Sequence, residues 1–146
     1  MREILFRGKR KEDGEWLCGS LMQITYKEEN NAIPIYMIFE DKFIFVCGDA
    51  KALNHAVVDP ETVGQYTGLK DKNGKRIFEG DIVHCIARLD EADCIVIFED
   101  GEFRLVPTER YATYVTGGGF YALRNFEKEV VGNIHDHPEL LGGDNA

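Results

Sequence analysis

The stretch from Asp59 to Val83, DPETVGQYTGLKDKNGKRIFEGDIV, constrains this chain more than any other because its turns come so close together. Asp59 caps a short helical turn, Pro60 suits the first position inside it, and Glu61 complements the exposed N–H groups there. Val63 to Thr67 has the β-branched and aromatic content of a strand, with Gly64 where another backbone can pass closely. Asn73-Gly74 is a strong hairpin signal, and it predicts a two-residue type I′ turn with positive φ at both residues. Lys70, Asp71, Lys72 and Lys75 keep that turn in water. Ile77-Phe78 re-enters a core, Glu79-Gly80-Asp81 turns again, and Ile82-Val83 opens the next strand. A chain punctuated this way is antiparallel β.

The same device recurs elsewhere. Glu12-Asp13-Gly14-Glu15 precedes Trp16, and Glu99-Asp100-Gly101-Glu102 precedes Phe103, which predicts two further hairpins. Strands are expected at Arg2–Arg7, Trp16–Met22, Ile33–Phe39, Phe43–Cys47, Ile82–Ala87, Cys94–Phe98, Glu102–Val106, Tyr111–Val115, Phe120–Leu123 and Val130–Ile134. Pro34 places its strand at an edge or makes its start irregular. Lys27 to Asn31 reads as a polar loop, Asp49 to His55 as a turn or two of helix, and Asp136 to Leu141 as a capped terminal turn. Many short strands without long helical periodicity give a mostly-β protein. Val63-Gly64-Gln65-Tyr66 and Val131-Gly132-Asn133-Ile134 share a spelling, and glycine at matching places predicts that these strands meet as the seam of a small SH3-like barrel over 59–141. An antiparallel β layer over 1–58 precedes it, and 142–146 is a flexible tail.

Composition narrows the function classes. At 146 residues, 44% hydrophobic and 29% charged, the chain has the profile of an ordinary soluble domain, or of two small subdomains sharing a core. No apolar run approaches the roughly 20 residues that span a bilayer. The opening residues alternate charged and apolar, unlike a signal peptide, so the expected compartment is the cytoplasm. There Cys18, Cys47, Cys85 and Cys94 are expected to be reduced and buried. A net charge of −9 argues against binding a phosphate backbone, and fits either solubility or docking onto a basic partner.

Catalytic constellations do not assemble. Ser20, the only serine, lacks the second glycine of a nucleophile elbow. His84 and Cys85 are adjacent, and neighbours in a strand point to opposite faces. His135 and His137 would share a face if extended, yet Pro138 favours a turn there, and no Cys-x-x-Cys or His-Glu-x-x-His spacing supports zinc. Gly117-Gly118-Gly119 lacks nucleotide-loop spacing, and Glu79 and Asp81 read as turn residues. No catalytic residue, cofactor site or metal ligand is assigned, and the protein is read as a non-enzyme. Two basic clusters remain: Arg7, Lys9, Arg10 and Lys11, and then Lys70, Lys72, Lys75 and Arg76. Glu12, Asp13, Asp71 and Glu79 dilute both, so solvated turns are the plain reading and an interaction patch at Lys70, Lys72, Lys75 and Arg76 the sharper one.

The central stretch, the opening MREILFRGKRKEDGEW and the closing VVGNIHDHPELL together resemble the YopX family of phage and prophage proteins of Gram-positive bacteria. The resemblance spans nearly the whole chain, departing around Lys27–Asn31 and Arg88–Asp93. It implies a β-rich protein with an SH3-like barrel in its C-terminal part, and it carries no catalytic residue across. The reading is a phage or prophage accessory protein that acts by binding: to itself, and to a host or phage protein. The alternative is a nucleic-acid-associated module using the basic clusters. No membrane and no cofactor enter either reading.

Overall fold

Asp-Gly and Asn-Gly turns fold the strands back on one another in the computed structural model, which describes residues 1–40, 54–86, 91–109, 121–122 and 127–142. Among these residues the strands are β1 (Phe6–Lys9), β2 (Trp16–Glu28), β3 (Asn31–Glu40), β4 (His55–Val57), β5 (Gly64–Lys70), β6 (Arg76–Phe78), β7 (Asp81–Ile86), β8 (Glu91–Glu99), β9 (Glu102–Pro107), β10 (Tyr121–Ala122) and β11 (Glu127–Asn133). They form two sheets, in the orders β4-β3-β2-β1-β5-β6 and β10-β9-β8-β7-β11. The chain divides into two compact units, Met1–Tyr66 and Thr67–Ala146. The division falls inside β5, past the Asp59 boundary that the sequence suggests.

The first unit is built on the register of β1 with β2, where Phe6 faces Gly19 and Lys9 faces Trp16, and on the long ladder of β2 with β3. Leu17, Ile38 and Val58 are its buried core, flanked by Phe6, Leu21, Tyr36, Ala56 and Val63. Each such side chain contributes roughly 1.5–3 kcal/mol by leaving water. The core reaches close to Gly8, where an added Cβ would sit 3.0 Å from the Val58 Cβ. The expected cap forms: the Asp59 carboxylate accepts from the Glu61 amide at 3.0 Å, at the head of a 3-10 turn over Pro60–Thr62. Thr62 fixes that turn to β1, its hydroxyl accepting from the Lys9 amide at 2.8 Å and donating to the Asp59 carbonyl at 2.7 Å.

The second unit packs Ile77, Val83, Cys85, Cys94, Val96 and Leu105 together, with Ala92, Phe103 and Val130 against them. Here the Asp100-Gly101 hairpin is of the kind the spelling predicts, with φ of 50° and 80° at its two residues and Glu99 facing Glu102. The Asn73-Gly74 turn is different. Gly74 alone takes positive φ, at 80°, while the Gly74 amide donates to the Asp71 carbonyl and the Asp71 amide to the Lys75 carbonyl. That is a three-residue connection, a type I turn followed by a left-handed glycine, in place of type I′.

Three further expectations are corrected. The barrel seam does not form: β5 pairs with β1, whereas Val131 to Asn133 lie in β11, which pairs with β7 at the edge of the other sheet. The two glycines have separate local reasons, since Gly64 faces Arg7 across β1 while Gly132 leaves room for a histidine ring. Among the described residues there are two antiparallel sheets and no closed barrel. Lys27 to Asn31 is no loop, because Glu28 pairs with Asn31 across a two-residue tip in which Glu29 takes a φ of 43°. The strand expected to open at Cys94 begins three residues earlier, at Glu91.

The terminal turn is a 3-10 turn over Pro138–Leu141, closed by Gly142 at φ 79°. Its N-terminal residue, His137, makes no side-chain capping bond there. Residues 49–53 of the proposed short helix, Cys47, the Phe43–Cys47 and Tyr111–Val115 strands, Gly117–Gly119 and 143–146 lie outside the described residues.

Candidate functional site

Strict alternation along β2 sorts its side chains onto two faces of the first sheet. Leu17 and Leu21, with Ile38 and Tyr36 across the ladder, turn into the core. Cys18, Ser20, Met22, Ile24, Tyr26 and Glu28 therefore turn outward. On β3 the facing residues are Phe39, Met37, Ile35, Ile33 and Asn31, opposite Ser20, Met22, Ile24, Tyr26 and Glu28 in turn. The outer face is thus an uncharged apolar ladder at its centre. Met22, Ile24, Tyr26 and Ile33 remain 46, 42, 54 and 45% exposed, and Val57 on β4 beside Met37 is 38% exposed.

Beyond Leu21 this ladder runs on a two-stranded arm. Every residue from Met22 to Pro34 is exposed. Among the described residues, β1 pairs with β2 only up to Gly19, and β4 pairs with β3 only at Met37 to Phe39. Gln23 and Thr25 between the apolar residues mask the periodicity in a sequence reading that ends the strand at Met22. The alternation Met22-x-Ile24-x-Tyr26 is the signal that identifies it.

The two ends of the face carry opposite charge. At its base Arg7 faces Cys18 and Lys9 faces Trp16, so both cations share the outer face. The Arg7 guanidinium lies 4.7 Å and the Lys9 ammonium 5.5 Å from the Trp16 ring centre. At its tip stand Glu28 and then Glu29. Arg10 leaves the first basic cluster by pairing bidentately with Asp13, its Nε donating at 3.0 Å.

The second basic cluster surrounds a buried acid. Asp71 is 7% exposed, and its carboxylate accepts from the amides of Asn73 and Lys75, both at 2.9 Å, and from Val130 at 3.0 Å. Burial pushes its carboxyl up, but the three amides and the Lys75 charge outweigh burial and hold its pKa below the usual value. Lys72 pairs with Glu129 at 3.2 Å, and Asn73 donates to the same carboxylate at 3.2 Å. Lys70 and Lys75 are exposed, and Arg76 is half-buried. The turn is thereby fastened to β11.

Of the groups able to carry chemistry, His84 is the most engaged. Its Nδ1 lies 2.7 Å from Asp93 and its Nε2 3.4 Å from Glu91, and the bond to Asp93 outweighs burial to raise its pKa. With both nitrogens facing carboxylates, the ring braces β7 against β8. Cys85, on the core face, hydrogen-bonds with Cys94, and burial beside them lowers the pKa of Lys128. Donating to Cys85, together with burial, pushes the Cys94 thiol up. Cys18, Cys85 and Cys94 are free thiols.

His135 and His137 do not share an extended face, because the chain turns at Ile134. Asn133 organises that turn. Its side-chain oxygen accepts from the His135 and Asp136 amides, and its own amide donates to His137 Nδ1 at 3.2 Å. Among the described residues no group of three His, Cys, Asp or Glu is placed to hold a metal ion. Glu79-Gly80-Asp81 is a turn as expected, with Asp81 accepting from the Phe78 amide at 2.8 Å. No helix among the described residues is long and apolar enough to cross a membrane.

Comparison with known proteins agrees with this architecture. A crystal structure of protein EF1440 from Enterococcus faecalis covers 97% of this chain and 100% of its own, at 24% identity and a TM-score of 0.51, a likeness of fold. Among curated proteins none matches. The family model described as YopX protein matches residues 5–142, nearly the whole chain. On that match, and on the motifs at both ends and in the middle, the chain belongs to the YopX family.

Proposed function

We propose that this is a phage or prophage accessory protein of the bacterial cytoplasm that works by binding another protein through the outer face of the β2–β3 arm. The observation that carries this reading is the exposed ladder of Met22, Ile24, Tyr26 and Ile33, on a ribbon supported by no third strand over Gln23 to Ile35 among the described residues. A two-stranded ribbon is marginal in water by itself, and a flat apolar face gains by being covered. Aromatic and methionine side chains are what protein interfaces favour. The basic turn supports nucleic-acid binding less well, since Lys72 spends its charge on Glu129 and the whole chain carries −9.

Ile24→Asp is the discriminating change, because it places a charge at the centre of the ladder without touching the core. Cross-linking in lysogenic host extract should give protein adducts with the wild-type chain and lose them with Ile24→Asp, while circular dichroism is unchanged. Equal adducts from both would refute the docking face. Replacing Lys70, Lys72 and Lys75 together with Gln should leave the adducts intact. A gel shift with duplex DNA, abolished by that triple change, would instead favour the nucleic-acid reading.

A further inference from the structure

Resting on that docking face, we propose that its occupant is a second copy of this chain, packed face to face with its β2 strand antiparallel to the first. The outer face is a ladder of six rungs: Arg7–Cys18, Ser20–Phe39, Met22–Met37, Ile24–Ile35, Tyr26–Ile33 and Glu28–Asn31. A two-fold axis through the middle of this ladder, perpendicular to the strands, lays each rung on its mirror position. The Met22 rung then meets the Ile24 rung. Tyr26 falls on the Ser20–Phe39 rung, where Ser20 is small and Phe39 is already stacked on His55 at 5.2 Å. Glu28 falls on the Arg7–Cys18 rung, next to the Arg7 and Lys9 cations on Trp16.

Charge selects this arrangement over its competitor. Packing the two faces with strands parallel would bring the two Glu28 ends to one side and the two Arg7–Lys9 ends to the other, like charge beside like charge, which costs affinity. Antiparallel packing turns both into attractions, and the four central rungs carry no charge to oppose the approach of two acidic chains. Such a contact is isologous and closes at two copies, so it hides the apolar face without building filaments. Two sheets stacked this way sit about 10 Å apart, a separation the Glu28 and Lys9 side chains can bridge. Six rungs supply fewer residues than the roughly 20–30 per side of a standard interface, so association belongs in the micromolar range.

Sedimentation velocity through the micromolar range tests this, using the full chain and following each variant by circular dichroism. Wild type should pass from 16.6 kDa to twice that mass as concentration rises. Lys9→Glu and Glu28→Lys should each weaken dimerisation roughly tenfold, and the two together should restore it, because the charge pair is inverted and not removed. Ile24→Asp should abolish it. A wild-type chain that stays at 16.6 kDa throughout, or a double variant weaker than either single one, overturns the proposal. The two readings fail differently. Monomeric wild type that still gives Ile24-dependent adducts in host extract removes the second copy and keeps the docking face. Dimerisation and adducts that both ignore Ile24→Asp remove the face itself.

Discussion

Gly132 and Asp71 show how much of this protein depends on single atoms. An added Cβ at Gly132 would lie 2.8 Å from His137 Nδ1, 2.9 Å from its Cγ and 3.0 Å from Leu140 Cδ1, so the ring or the terminal turn would have to move. The ring is not free to move, because its Nδ1 accepts from the Asn133 amide. Gly132→Ala should therefore destabilise the chain by about 1–3 kcal/mol, read as a lower urea midpoint. Unchanged stability would mean that the His137 contact is loose. The sequence marks Gly132 as a place of close approach, and that much is right, but the neighbour is a side chain five residues on and not another strand. Asp71 was legible only as a solvated turn residue. Its role depends on the Val130 amide, 59 residues away, and no local pattern encodes that distance.

At the scale of elements, what could be read was what local chemistry determines. Asp13-Gly14, Asn73-Gly74 and Asp100-Gly101 each connect neighbouring antiparallel strands as their spelling requires, although their turn types differ. Strand order was not legible, because β5 has similar apolar content whether it lies beside β1 or closes a barrel. Pro34 was legible, and its position is informative. It faces Thr25 on a stretch of β3 that β4 does not reach, so the missing N–H costs no ladder bond on an open edge. An edge of this length invites pairing with other chains, and a proline blocks it. Pro34→Val should leave the arm folded and raise concentration-dependent aggregation, measured by light scattering and thioflavin fluorescence. If the variant is as soluble as wild type, the proline has no protective role.

For the whole molecule, pH response should be governed by the unit from Thr67 onward, which contains Asp71 and His84, two groups held by hydrogen bonds whose pKa values are shifted in opposite directions. Asp71 has a folded pKa below its ordinary 3.8, so its contribution is complete above that value and is lost as pH falls through the folded pKa. His84 is raised above 6.5 by Asp93 and by Glu91, so its contribution is complete below that value and is lost as pH rises through the folded pKa. In the first unit the displaced carboxyl is Asp13, lowered by the Glu15 amide and Arg10 on a turn where water screens its charge. Urea midpoints should consequently form a plateau between the two limits and fall on either side. Asp71→Asn should cost roughly 1–3 kcal/mol at neutral pH, since an amide donor would meet backbone donors, and it should flatten the acid limb. Asp93→Asn should leave the acid limb alone and flatten the alkaline one, because it removes the carboxylate that holds the imidazolium. A wild-type profile whose limbs survive both substitutions would show that the pH response arises from the net charge of −9 and not from these two groups.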